Sequence, residues 1–207
     1  MRPYTRALVN RRPLGCLVEI AETLVLTLVI FLVIQAFVAQ PYQVQQESMR
    51  LTLEEGQYVL VDKLTPNFDS YSRGDIIVFT PPNSNGNDVV PFIKRVIGEP
   101  GDTVEIRDGQ VVVNGVLLDE PYVNSTTTVP DGRGVWQVPA DALFVMGDNR
   151  DNSTDSRSPS IGPVPRQNVI GRAFLRYWPL NALGILPTPT YDGVPPAGQT
   201  DAQPSSQ

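Results

Sequence analysis

The chain has 207 residues, enough for one medium domain with appendages, of which 41% are hydrophobic and 18% charged, with a net charge of −6. It contains no His and a single Cys, Cys16, which excludes Ser-His-Asp and Cys-His catalysis, His-ligated metal sites and an internal disulfide. The acidic balance leaves no basic footprint for nucleic acid, and Lys63 and Lys94 are the only lysines beside fourteen arginines. Arginine is effectively never deprotonated, so any base chemistry by a cationic side chain has two candidates.

Residues 1–19 carry Arg2, Arg6, Arg11 and Arg12 against Glu19, a net of +3. Residues 20–38 (IAETLVLTLVIFLVIQAFV) hold one charge, Glu22. As a helix this run spans roughly 28 Å, about the hydrocarbon thickness of a bilayer. The alternatives are a buried core helix, which needs no apolar surface all round, and a cleaved signal peptide. The latter fits poorly, because Phe37 stands where a second small residue is wanted before Ala39 and Pro41 follows closely. Arg-rich flanks stay cytoplasmic, so the chain after Val38 is expected on the outer side.

Residues 39–181 read as an extracytoplasmic domain of short β-type runs. The clearest are Val59–Val61, Asp75–Phe79, Phe92–Ile97, Thr103–Ile106, Val111–Val113 and Leu143–Met146. Turn signals separate them, among them Pro100-Gly101-Asp102, Asp108-Gly109 and Asn114-Gly115. The spacing predicts an all-β fold, a small barrel or sandwich. Asn83–Asp88 reads as a polar loop tip. Residues 182–207, and above all those from Pro187 on, are rich in Pro, Gly, Ser and Gln and read as a disordered tail.

Ser48 follows the apolar run by ten residues, in YQVQQESMRLTL; a lone serine is usually structural. Lys94 sits mid-strand in PFIKRVIG, where alternation puts Phe92, Lys94 and Val96 on one face. That pattern suggests a partly buried lysine, with a solvent-facing lysine on an edge strand as the alternative. Burial lowers a lysine pKa, and a neutral amine is able to take a proton from a serine hydroxyl. Gly147–Arg157 (GDNRDNSTDSR) clusters Asp148, Arg150, Asp151, Asp155 and Arg157. Two arginines oppose a dication and the spacing is not that of an EF-hand, so the loop reads as salt-bridged, with no metal.

In order, these pieces are an N-terminal apolar run, SM-x-x-TL (48–53), RGDIIVF (73–79), IKRVIGEPGD (93–102) and GDNRDNSTDSR (147–157). Over residues 20–178 the chain resembles the type I signal peptidases, the bacterial Ser/Lys leader peptidases. The resemblance implies a β-rich membrane-bound serine endopeptidase that removes signal peptides from exported preproteins and needs neither cofactor nor metal. Its implied partners are those preproteins and the lipid bilayer of the plasma membrane. It implies Ser48 as nucleophile, with its backbone N–H in the oxyanion hole, and Lys94 as general base. It further implies Ser153 as the hydroxyl orienting that lysine, and Asp155 paired with Arg157 as a brace. Val44, Gln45, Met49, Leu53, Phe92 and Ile93 match positions lining shallow pockets for small side chains, whereas Lys63 matches a position without a catalytic role. Two departures stand out. Leu51 replaces the proline of SM-x-P-TL, and Gln46-Glu47 stand where some members have Ser-Gly before the nucleophile. The short stretch between Lys94 and Ser153 implies a second β subdomain reduced to a hairpin. Two other readings remain: a Ser/Lys protease maturing one dedicated partner, and an inactive membrane-tethered adaptor.

Overall fold

The computed structural model describes residues 13–33, 39–64, 70–84, 89–129 and 134–197. The chain forms two compact units, Met1–Val38 and Ala39–Gln207. In the first, helix α1 runs Pro13–Val33, about 31 Å at the α-helical rise. Its stretch Gly15–Leu32 has a mean hydropathy of 2.2 and none of it is buried within the protein, so it is long and apolar enough to cross a membrane. The helix begins upstream of the expected Ile20, because Glu19 stops a count of apolar residues yet is a good helix former. The rest of the expected span, residues 34–38, lies outside the described residues. Thr23 and Thr27 return their hydroxyls to the carbonyls of Glu19 and Thr23, both at 2.8 Å, which satisfies them without water.

The second unit is built of antiparallel strands. The larger sheet contains β1 (Ala39–Gln43), β2 (Tyr58–Asp62), β3 (Ile76–Phe79), β4 (Phe92–Gly98), β9 (Ala142–Met146), β10 (Val164–Pro165) and β11 (Val169–Trp178), in the order β1-β2-β11-β3-β4-β9-β10. β12 (Gly184–Ile185) adds to β11. The smaller sheet orders β7 (Val116–Leu117), β6 (Gln110–Val113), β5 (Thr103–Arg107) and β8 (Val135–Gln137). The all-β expectation therefore stands. The insertion after Lys94 is a four-stranded sheet rather than a hairpin, because Val135–Gln137 returns to pair with β5.

β3 and β9 are buried along their whole length, which is why IIVF and ALFVM read as continuous apolar runs. Ile76 and Val78 enter one cluster with Val44, Met49, Leu53, Val59 and Ile93, whereas Ile77 and Phe79 enter another with Val96, Leu143 and Val145. A third cluster, around Ile97, Val104, Val113 and Phe144, joins the two sheets.

The tail requires a correction. Residues 184–197 do not hang loose: Leu186 is buried in the first cluster, and Tyr191 and Val194 pack on the third. The segment is anchored through backbone carbonyls and scattered apolar side chains, so its composition resembles that of an unfolded chain. Residues 198–207 lie outside the described residues, as does part of the Asn83–Asp88 loop.

Candidate active site

Ser48 lies in a short 3₁₀ turn, Glu47–Met49, that follows β1. The chain leaves this turn through a type II turn: Thr52 N donates to Met49 O at 3.0 Å, with Arg50 at φ −53°, ψ 142° and Leu51 at φ +88°. A proline ring, fixed near φ −65°, cannot occupy that third position, so the departure at Leu51 is a change of turn geometry. Met49 and Leu53, both with no exposed surface, pin the turn to the core.

β4 brings Lys94 beneath the turn. Its Nζ is 2.6 Å from Ser48 Oγ and 3.1 Å from Ile93 O, and 5.0 Å from the centroid of the Phe92 ring. Ser48 is 4% exposed and Lys94 not at all. Burial lowers the lysine pKa to about 8, against an opposing pull from the charges of Asp155 and Asp148. Ser48 and Lys94 thus form a contact pair of hydroxyl and easily neutralised amine. Lys63, by contrast, bonds Gln40 Oε1 at 3.4 Å.

The Gly147–Arg157 loop wraps around this pair. Asp155 accepts from Gly147 N (3.0 Å), Ser153 Oγ (2.7 Å) and Arg157 Nε and Nη2 (both 2.9 Å). Burial alone would raise its pKa, but the hydrogen bonds and charge of Arg157, with Gly147 and Ser153, hold the carboxyl below its ordinary range. Arg157 also reaches Thr128 O and Arg150 O, both at 3.0 Å. The position of Ser153 differs from the implied one. Its hydroxyl donates to Asp155 and makes no hydrogen bond to Lys94, whose Nζ bonds Ser48 Oγ and Ile93 O instead. Gly147 leaves no room for a side chain: a Cβ there would collide with Ser153 Oγ and Ser48 O.

The expected pocket residues divide between three places. Val44, Gln45 and Ile93 line a small hollow with Tyr42, Gln46 and Val78. Phe92 lines the adjoining cleft, which holds Ser48, Gln46, Glu47, Asn152 and Thr154. Met49 and Leu53 lie in the cluster beneath and face neither, because their side chains are consumed by the core. Gln46 is the one residue lining both spaces, and its side chain makes no capping hydrogen bond. Among the described residues, no group of three or more His, Cys, Asp or Glu is placed to hold a metal ion.

Sequence reasoning did not assign Arg95 and Thr52. Arg95 makes a bidentate contact with Asp148 (2.9 and 2.7 Å), and Thr52 Oγ1 donates to the same carboxylate at 2.5 Å. Asn149 N donates to Ser48 O at 3.0 Å. The signal was present in the blocks themselves, since Arg95 adjoins Lys94 and Thr52 closes SM-x-x-TL.

The family model described as "Signal peptidase, peptidase S26" matches residues 17–178. The chain belongs to this family. It is 46% identical over 181 residues to "Signal peptidase I" of Leptolyngbya laminosa, covering 84% of this chain and 87% of that protein. It is 36% identical to "Signal peptidase I S" of Bacillus subtilis (strain 168), over 81% of this chain and 91% of that one. Among solved structures, a signal peptidase I from Enterococcus faecalis V583 matches at 35% identity and a TM-score of 0.39, covering 50% of this chain and 97% of that one. The family is one of peptidases, and in this member a buried lysine amine contacts a serine hydroxyl.

Proposed function

We propose that this chain is a membrane-anchored serine endopeptidase that removes signal peptides from exported preproteins, with Ser48 as nucleophile and Lys94 as general base. The observation that carries the reading is the 2.6 Å contact between a fully buried lysine and a serine hydroxyl at the floor of a cleft. With Lys94 neutral, its amine takes the Ser48 proton as Oγ attacks the scissile carbonyl, and an acyl-enzyme forms. The ammonium then protonates the leaving amine, and a water activated by the regained amine hydrolyses the ester. Ser48 N–H stabilises the oxyanion, and the Gln46 amide at the cleft rim is a second donor of suitable chemistry. Asp155 and Arg157 hold the loop that walls the pair, with Ser153 as their hydroxyl link. The hollow lined by Val44, Gln45 and Ile93 receives small side chains of the signal peptide.

The same reading sets α1 across the plasma membrane, its Arg-rich N-terminal side cytoplasmic and residues 39–181 outside. The basic N-terminal flank and the apolar helix support it. The test is cleavage of an exported precursor by the full-length protein in detergent. Wild type releases the mature chain, whereas Ser48→Ala and Lys94→Ala do not. Turnover like that of wild type in either variant ends the dyad assignment. A panel of unrelated precursors separates general processing from maturation of one dedicated partner, and covalent labelling of Ser48 by a β-lactam-type inhibitor excludes the inactive adaptor.

A further inference from the structure

The family match ends at residue 178, yet the chain beyond it is built into the back of the site. Leu186 N donates to Phe174 O at 2.9 Å, after which the chain runs as a strap over the domain. Pro187 O accepts from Arg95 Nη1 at 3.3 Å. The Pro189 carbonyl approaches Gly74 so closely that a Cβ there would lie 2.6 Å from it. Tyr191 OH bonds Tyr122 OH at 2.6 Å, and Pro195 O accepts from Asn114 Nδ2 at 2.9 Å. Ala197 Cβ would stand 2.8 Å from a Cβ on Gly101. Both glycines have positive φ, so the strap crosses the domain where two turns carry no side chains.

Arg95 is where the strap meets the catalytic machinery. Its guanidinium is fully buried, grips Asp148 with two hydrogen bonds, donates to Gly74 O at 2.8 Å, and lies 4.1 Å from the Tyr122 ring centroid. Asp148 takes the Thr52 hydroxyl, and the next residue, Asn149, holds the Ser48 carbonyl. The Arg95–Asp148 pair therefore brackets β4, which carries Lys94, to the turn that carries Ser48. Tyr122 donates to Glu120 Oε1 at 2.8 Å, so Tyr191 is the donor in the tyrosine pair. The strap thus contributes a carbonyl to Arg95 and fixes the ring that covers it. Charge pairs of this kind weaken when water reaches them, because the local dielectric rises.

We propose that residues 187–197 are a positioning strap for the catalytic pair, acting on the Arg95–Asp148 bracket through Pro187 and through Tyr191 on Tyr122. The strap sets turnover, and substrate affinity is left to the hollow on the other side of the turn. The inference rests on Ser48 and Lys94 being the dyad. Its test compares full-length enzyme with chains ending at Ala197 and at Leu186, and with Tyr191→Phe, on one precursor. The chain ending at Ala197 keeps wild-type kcat. The chain ending at Leu186, which retains β12 and the buried Leu186, loses about tenfold in kcat with KM within about twofold. Its rise in rate with pH also moves to higher pH, because a less tightly closed site desolvates Lys94 less. Tyr191→Phe keeps the ring and removes the hydroxyl, and lowers kcat about two- to fivefold with the same displacement. An unchanged kcat and pH profile in Tyr191→Phe, or in a shortened chain that melts cooperatively, overturns the proposal. If the chain ending at Leu186 does not fold, Tyr191→Phe decides alone. Full activity in Ser48→Ala would instead overturn the dyad, so the two failures are distinguishable.

Discussion

Replacing Lys94 by Met removes the proposed base, and it should also change how stability depends on pH. The folded protein holds Lys94 at a pKa of about 8 against 10.5 for the free side chain, burial being the main cause. Between those values the unfolded chain carries a proton at this position that the folded chain has released. The unfolded state binds more protons there, so stability rises with pH through the window. Below about pH 8 both states are protonated and the full cost of the buried ammonium is present. At 1.36 kcal/mol per pH unit, the fall from 10.5 to about 8 corresponds to about 3 kcal/mol. The Met variant has no such group. Its stability advantage over wild type should therefore shrink by about 3 kcal/mol between pH 7 and pH 11. Chemical unfolding of both proteins across that range, in one detergent, measures the difference. Tyr42, Tyr71, Tyr122 and Tyr191, all raised by burial, titrate alike in the two proteins and cancel. A difference that stays constant from pH 7 to pH 11 would refute the desolvation argument, and with it the idea that burial makes this lysine a base.

The same pKa predicts that kcat/KM rises with pH through about 8, and that Lys94→Arg is inactive at every pH because a guanidinium stays protonated; a profile flat from pH 6 to 9 would contradict this. Gly147→Ala forces Ser153 or the Ser48 carbonyl to move, and initial rates should fall about 100-fold while the melting transition remains cooperative. Leu51→Gly relieves a positive φ and should stabilise the domain by about 0.5–1 kcal/mol, whereas Leu51→Pro should destabilise it. Thermal melts that ranked proline above glycine at this position would show that the turn is not type II.

Strands with unbroken apolar runs were legible in the sequence, because β2, β3, β4 and β9 are buried on both faces or alternate cleanly. β11, the longest strand, was not. Its pairing shifts register between Ala173 and Leu175 and again between Arg176 and Trp178, and each bulge breaks the period of two. β1 was hidden by Pro41, which an edge strand tolerates. The strap was hidden because its contacts are made by proline carbonyls with partners 81 and 92 residues away. The dyad needed the motif blocks, since alternation around Lys94 fixes which residues share a face and says nothing of what covers it.

Lys94 and Arg95 show what the cover decides. They are neighbours on one strand, point to opposite faces, and are both fully buried. Burial pulls the pKa of each down. Arg95 recovers, because Asp148 meets its guanidinium with two direct hydrogen bonds, and the net displacement is upward. Lys94 does not, because its direct partners are a hydroxyl and a backbone carbonyl, and Asp155 and Asp148 act on it only as charges without contact. Ser153 and Arg157 take up the hydrogen-bonding capacity of Asp155, which keeps that carboxylate from becoming the lysine's ion-pair partner. The fold therefore places a permanent cation and a titrating one side by side, and the difference between brace and base lies in which of them is given a carboxylate to touch.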